Sequence, residues 1–493
     1  MFKKLICLFL AGAMLFAVVG CKDSKTVISD DSFYDDYYDG KTVSGDMNDN
    51  NTSGNNASGN NASGNNTSGN NVSSKGNSKK QNSPANNGNV NGDDYDITQN
   101  VKDKDKNKFK GKIVKMLVSW DITNNSFEMN AVKNLKKDLG ITIKPVVTTI
   151  ELYQTKLTSM IASNDSPDIC YMDSSSFPTM ILKNKIVPID TNILDIKKDI
   201  ELTIPVMDLF KWNGKYYGIA CPGSWQGGPF ILLYNKTAIV QKGYKTPLEL
   251  YRKGDWNWDT FAELAKNMTD KSKGFYGFGC DDSIQQAFLA SIKTDFVKYE
   301  GKTIKNNLDD PNLTKALTFL SELRKNGYTN PEINGGKSTS RAMTVYSTWI
   351  LQKKHWKTAL GTEATECVPV PSPKGQEAVT AFDAKVFCIA RGAKNPEAAL
   401  YAARYFIDPD NYDMTTEIES KQMREMFYEL GKSKNVFGCL GRGVASYNAE
   451  EDYWKLLYLT RESAENIPVR LKEQKTLIDG AISKIESDSK LFN

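Results

Sequence analysis

One histidine, His355, serves all 493 residues. A His-ligated metal centre or a Ser-His-Asp triad would have to be assembled around that single side chain. It lies in "LQKKHWK", a basic stretch that reads as an exposed helical face, so catalysis is not expected there. Paired cysteines are lacking too. Beyond the first 21 residues there are Cys170, Cys221, Cys280, Cys367, Cys388 and Cys439, with no C-x-x-C pair and no metal-ligand spacing. They sit in apolar, strand-like contexts and read as buried free thiols, with disulfides left open for an oxidising compartment. No cofactor and no metal is expected. Charge of one sign is also scarce: 63 Lys and Arg stand against 59 Asp and Glu, a formal +4, and nowhere do basic residues gather among aromatics. Nucleic acid is therefore excluded as a partner. After the N-terminus no stretch is apolar for long enough to span a bilayer.

What is present begins with an export signal over residues 1–20. Lys3 and Lys4 supply a positive start, and the apolar run from Leu5 to Val19 is too short and too early for a stable span. Val18, Val19 and Gly20 lead into Cys21, which resembles the lipobox of bacterial lipoproteins. The resemblance implies that Cys21 is acylated, palmitate included, and becomes the new N-terminus, holding the chain on the outer face of the cytoplasmic membrane. An ordinary cleaved signal with an incidental cysteine is the other reading.

Residues 21–108 lack periodicity. "SDDSFYDDYYDG" is followed by near-repeats of Gly-Asn-Asn-Ala/Thr-Ser and then "KDKDKNK". This composition cannot bury enough apolar area to offset chain entropy, so it is expected to be a disordered linker. A coil of this length has a relaxed span on the order of 50 Å. Its N-x-S/T triplets match a glycosylation acceptor pattern, but in a chain resembling a bacterial lipoprotein the solvated-linker reading is preferred.

From Lys112 the texture changes, and about 380 residues follow, more than one hydrophobic nucleus usually covers. Two lobes are expected. "KIVKMLVSW", "ITIKPVV" and "DICYMD" read as strands separated by amphipathic helices, the first ending at Gly140 and the second carrying Ile150, Tyr153, Leu157, Met160 and Ile161 on one face. Alternating strands and helices predict an α/β architecture with a largely parallel sheet. "NGKYYGIA" reads as the outgoing strand of a hairpin turned at Asn213-Gly214.

The two tryptophans of "GDWNWDTFAELAKNMT" suggest a sugar-stacking platform, but local geometry argues for core. With Asn257 as N-cap, Trp256 packs on Phe261 as a hydrophobic staple, and Trp258, Phe261, Leu264, Ala265 and Met268 form one apolar stripe.

Together "LTSMIASNDSPDICYMDSSSF", "NGKYYGIACP", "FILLYNKTAI", "GDWNWDTFAELAK", "RAMTVYSTW", "VPVPSPKGQ" and "KNPEAALYAARYFID" resemble, in order, the bacterial extracellular solute-binding proteins of ABC importers, the family that includes the maltodextrin-binding proteins. The resemblance covers most of the chain after Lys112. It implies two α/β lobes joined by crossing strands, one near Ile219 to Pro222 and one near Val379 to Ala384, with ligand clamped between them. Residues 109–220 plus 384–430 would form one lobe. Residues 221–383 plus 431–493 would form the other, ending in a helix bearing Leu471, Ile478, Ile482 and Ile485.

Open α/β sheets bind ligand beyond the carboxyl ends of their strands. That rule selects Trp120 and Asp121 after the first strand, Asp173, Ser174 and Ser175 after the third, and Trp225 and Gln226 after the crossing. Asp383 near the return crossing joins them. The resemblance adds Trp349 in "RAMTVYSTW" and Trp454 in "DYWKLLYLTR", at positions matching sugar-stacking tryptophans of maltodextrin-binding relatives. Each residue has a plainer alternative. Trp120 and Trp225 could be buried, Asp121 and Asp173 could cap helices, and Asp383 could mark a turn, while Tyr234 reads as core. Ser175, Ser176 and glycines stand where close maltodextrin-binding relatives carry charged side chains, so maltose specificity is not implied.

The expected function is that of a lipid-anchored, monomeric, non-enzymatic receptor for a carbohydrate or other small polar solute, delivering it to an ABC permease. Two rivals are a surface glycosidase or lyase, which would need a carboxylate pair that the sequence does not announce, and a receptor that signals to a membrane sensor kinase.

Overall fold

The computed structural model describes residues 107–119, 122, 126–194, 204–219, 227–279, 285–330, 338–348, 350–351, 355–408, 411 and 418–490. The expected signal peptide, Cys21 and nearly all of the expected linker lie outside them. So do Trp120, Asp121, Trp225, Gln226, Trp349, Cys221 and Cys280. Among the described residues no helix is long and apolar enough to cross a membrane.

The chain opens as the alternation of strand and helix predicts. Strand β1 (Ile113–Val118) leads to the helix Ser126–Leu139, which ends where Gly140 takes a φ of +68°, a left-handed conformation that glycine adopts without a Cβ penalty. Strand β2 (Thr142–Val147) follows and runs parallel to β1 in register from Ile113↔Thr142 to Val118↔Val147. The helix Ile150–Ala162 is capped by Thr149, whose hydroxyl accepts from the Leu152 amide. It buries Tyr153, Leu157 and Met160 and half-buries Ile161, whereas Ile150, expected on the same face, is 37% exposed at the first turn. Strand β3 (Ile169–Met172) pairs parallel to β1, and the short β4 (Ile186–Val187) comes next. A hairpin of β5 (Lys211–Trp212) and β6 (Lys215–Tyr216) turns at Asn213-Gly214, both at positive φ, as the sequence predicts.

A second sheet starts at β7 (Gly227–Asn235) and collects β8 (Tyr276–Gly279), β11 (Arg341–Ser347), β12 (Thr365–Pro369) and β13 (Thr380–Ala384). Between β8 and β11 a separate hairpin forms from β9 (Val297–Glu300) and β10 (Thr303–Asn306). Strand β14 (Val386–Ala390) then returns to the first sheet, whose order is β2-β1-β3-β14-β4. The last strand, β15 (Val436–Gly438), closes the edge of the second, ordered β15-β13-β7-β11-β8 with β12 also on β7. Both sheets are mixed rather than largely parallel. β14 runs antiparallel to β3 and β4, and β7 runs antiparallel to β11, β12 and β13, because each of these strands enters from the other direction after a crossing or a helix.

Helix Trp258–Met268 forms for the reasons its sequence supplies. The Asn257 side chain accepts from the amides of Asp259 and Thr260, and the Thr260 hydroxyl returns a bond from the Asn257 amide, completing a capping box. Trp256 lies edge-on to Phe261 at 6.0 Å and Trp258 stacks on Phe319 at 4.4 Å, with both indoles buried and donating to the carbonyls of Pro369 and Pro371. They are core, as expected, and Tyr234 is fully buried.

Helix Lys421–Gly431, expected with residues 384–430 in the first lobe, packs its buried face of Met423, Met426, Phe427 and Leu430 on Ile231, Leu233 and Cys367 of the second sheet. Gln422 fixes this docking by bonding both the amide and the carbonyl of Cys367, at 3.0 and 2.7 Å. The helix Pro396–Ile407 does pack on the first sheet's side, against the helix Ser126–Leu139. The C-terminal helix Ile467–Ser489 buries Leu471, Ile478, Ile482 and Ile485.

Candidate functional site

Strand direction decides which side chains meet. β8, β11, β13 and β15 run parallel or share antiparallel β7 as a neighbour, so their carboxyl ends fall on one edge of the second sheet. Ser347 ends β11, Asp383 lies at the end of β13, and Arg442 follows β15. From the first sheet, β3 ends just before Asp173. Lys385 is the one residue between β13 and β14, at the point where the chain leaves one sheet for the other.

These ends bring Asp173, Asp383, Lys385 and Arg442 into mutual electrostatic range, with the Ser347 hydroxyl bonded to Asp383. The two acids respond oppositely. Burial pushes the Asp383 carboxyl up and the neighbouring Asp173 adds to it, while Lys385, Ser347 and Arg442 pull down without cancelling the rise. For Asp173 burial also acts upward, but Lys385, the hydroxyls of Ser175 and Ser176, and Arg442 outweigh it and hold the carboxyl below the usual range. A proton entering this pair therefore goes to Asp383 first.

Asp173 earns part of its low pKa locally. Its Oδ1 accepts from the amides of Ser175 and Ser176, both at 3.1 Å, and from their hydroxyls at 2.6 and 2.8 Å. It thus holds the turn that follows and caps no helix, since the next helix, Thr179–Leu182, starts from Pro178 without a side-chain cap, and it still faces Lys385 and Arg442. Asp383 is not in a turn. It is paired with Gly228 within the sheet, so strand geometry aims its side chain. Ser174 offers its carbonyl to the Gly443 amide at 3.0 Å.

Arg442 is the residue that joins the groups. Its guanidinium bonds Glu450 at 2.6 Å and lies 5.5 Å from the Tyr453 ring and 5.9 Å from the Trp454 ring. Burial disfavours its charge, but Tyr453, Glu450 and Asp173 more than offset that. Trp454 is half-buried, loosely stacked on the exposed Tyr458 at 6.3 Å. Lys385 sits 5.5 Å over the ring of Tyr171, whose hydroxyl bonds Ser119 at 2.9 Å at the end of β1.

Of the residues expected at the site, Asp173, Ser174, Asp383 and Trp454 converge on this junction. Ser175 is exposed beside them. Trp120 and Asp121 follow β1 in sequence, Trp349 follows β11 by two positions, and Trp225 and Gln226 directly precede β7; all five lie outside the described residues. Sequence reading missed Lys385, Arg442, Ser347 and Tyr171. Two signals were available: the charged pair inside the apolar run "TAFDAKVFCIA", and an arginine flanked by glycines in "CLGRGVA". Among the described residues no group of acidic, histidine and cysteine side chains could hold a metal ion.

Two sheets joined where β13 passes through Lys385 into β14, with polar side chains of both meeting at the junction, define a two-lobed binding-protein architecture. The chain belongs to the bacterial extracellular solute-binding protein family, whose model matches residues 130–420. It is thereby placed among binding proteins rather than enzymes. A curated relative is the putative ABC transporter periplasmic-binding protein YcjN of Escherichia coli, 23% identical over 238 residues, 44% of this chain and 50% of that one. The chain thus spans about half the length of that relative. Among solved structures the fold is similar to the sugar-binding protein MalE of Xanthomonas citri, with a TM-score of 0.61 at 14% identity, covering 77% of this chain and 99% of that one. It is also similar to the galacto-N-biose-/lacto-N-biose I-binding protein of Bifidobacterium longum, with a TM-score of 0.58 at 14% identity over 76% and 98%. The cyclic α-maltosyl-1,6-maltose binding protein of Arthrobacter globiformis gives 0.60 at 14% identity over 76% and 99%.

Proposed function

We propose that the protein is a carbohydrate receptor that closes on an oligosaccharide between its lobes and delivers it to an ABC permease. The observation that carries this reading is the meeting of Asp173, Asp383, Lys385, Arg442 and Trp454 at strand ends of both sheets. Fixed carboxylates and cations suit the hydroxyl pattern of a pyranose, and an indole suits its apolar face. The three structural neighbours that are named for sugars support the class. In this reading one lobe is built around β1–β4 and β14, and the other around β7–β13, β15 and the helices after residue 418. Ligand contacts made by both lobes favour the closed state, because only that state makes both sets. Trp120, Asp121, Trp225, Gln226 and Trp349 complete the site, and an acylated Cys21 tethers a monomeric receptor, raising its effective concentration near the permease.

A melting-temperature screen over mono- and oligosaccharides tests the ligand class. A sugar present at about 100 times its Kd should stabilise the folded chain by about 2.7 kcal/mol. A screen including lacto-N-biose, maltotetraose and tagatose in which no sugar moves the melt overturns the carbohydrate reading. Replacing Cys21 by Ala should release the protein from the membrane fraction; continued membrane retention removes the lipid anchor from the account.

A further inference from the structure

Asp295 lies in the loop between the helix Gln285–Ala290 and β9 and is buried. Both of its carboxylate oxygens are engaged by main-chain donors. The Phe296 amide reaches Oδ1 at 2.7 Å and the Gly441 amide reaches Oδ2 at 2.7 Å, with the Leu440 backbone also turned toward it. The fit is tight: a Cβ on Gly441 would stand 2.8–3.0 Å from the carboxylate atoms. The same segment is held one residue earlier by the Cys439 thiol, at 3.4 and 3.5 Å from the carbonyls of Gln286 and Thr294. The next residue is Arg442. Its Nε is buried without a hydrogen-bond partner, so the guanidinium is not locked by a full set of its own bonds and depends on where its main chain is placed.

We propose that Asp295 is a positioning residue for the ligand site: its ionised carboxylate clamps Leu440 and Gly441, thereby setting Arg442 against Asp173 and Asp383, and protonation of Asp295 loosens the clamp and weakens ligand binding. The ligand half of this statement rests on the receptor reading above; the clamp itself does not. The two main-chain donors favour the ionised group, since a proton from solvent on either oxygen leaves that oxygen a poorer acceptor for the N–H it faces. Burial pushes the Asp295 carboxyl up to about 7, so both states are populated near neutrality.

Its surroundings do not compete for that titration. Tyr299 on β9, Cys439 after β15 and Tyr453 on the helix Glu450–Leu457 face Asp295, and burial raises all three, keeping them neutral. Asp310, which accepts from Thr294 and Asn307, is lowered and stays ionised. Asn307 bonds the Asp295 carbonyl at 2.8 Å. Lys293, Lys298 and Glu300 line, with Asp295, a cavity of about 250 Å³.

The test uses the purified protein labelled with 15N-glycine, alone and with maltotetraose, alongside Asp295→Asn. In the unliganded protein one glycine amide, Gly441, should shift with pH around about 7, and that titration should vanish in the near-isosteric variant. Maltotetraose affinity should fall roughly tenfold in the wild type between about pH 8 and about pH 5.5, while the variant binds weakly and without that pH dependence. A melt of the variant establishes that it is folded. A Gly441 amide that stays flat, or that titrates unchanged in Asp295→Asn, overturns the clamp whatever the sugar does. Wild-type affinity and pH slope in the variant overturn the link to the site. Failure of maltotetraose and lacto-N-biose to bind the wild type at either pH overturns the binding half together with the sugar reading, and the amide titration still decides the clamp.

Discussion

The Gly443 amide donates to the Ser174 carbonyl over 3.0 Å, tying the segment that carries Arg442 to the loop that carries Asp173. The contact requires a glycine. A Cβ there would stand 2.5 Å from the Phe177 carbonyl oxygen and 2.6 Å from that of Ser175, both main-chain atoms that cannot swing aside.

Gly443→Ala should therefore destabilise the protein although alanine is the better helix former, by about 1–3 kcal/mol of overpacking. It should also weaken sugar binding, because the two loops must separate. Thermal melts and calorimetric titrations check this, and an unchanged melt would show that the loops adjust freely.

The tryptophans should divide by role. Trp258→Ala removes a buried ring stacked on Phe319 and should cost about 3–5 kcal/mol of unliganded stability. Trp454→Ala, at a half-buried ring beside Arg442, should cost less in the unliganded melt and abolish the sugar-induced shift. Equal stability losses with an intact sugar response would return Trp454 to the core.

Stability should depend on pH with opposite sign at two acids. The Asp295 carboxyl is raised from 3.8 to about 7, so its ionisation costs the folded state. Its contribution is most favourable below 3.8 and falls as pH rises to about 7. The melting temperature of Asp295→Asn minus that of the wild type should accordingly climb over that window and level off above it. Asp173 is lowered, so its stabilisation is present above 3.8 and lost in acid as pH falls through its depressed value. Asp173→Asn should be destabilising at neutral pH and progressively less so in acid. A pH-independent difference for either variant would contradict the assignment.

Cys170, Cys367, Cys388 and Cys439 are buried free thiols, and burial raises each of them, Cys170 to about 12. In the native protein they should resist a thiol reagent and become labelled only as fast as the chain opens. Mass spectrometry of protein labelled under native conditions reads this directly, and rapid modification at any of the four would refute their burial.

Local signals were legible and distant ones were not. Asn257, Thr260 and the apolar stripe of Trp258–Met268 lie within a dozen residues, so capping and periodicity specify that helix completely, as Asn213-Gly214 specifies its hairpin. The stripe of Met423, Met426, Phe427 and Leu430 announces a buried face but is silent on which sheet receives it. That choice is made by Ile231, Leu233 and Cys367, far away in sequence. The site shows the same division. A strand end pointed to Asp173 and the return crossing to Asp383, whereas Arg442 joins them only because β15 pairs with β13, a long-range pairing that no local pattern encodes.

Lys385 alone separates the last residue of one sheet from the first of the other, and its ammonium also faces Asp173 and Asp383. Splice and counter-charge thus share a single amino acid, so an insertion at this point of the chain would carry the ammonium away from both carboxylates as it parted the two sheets.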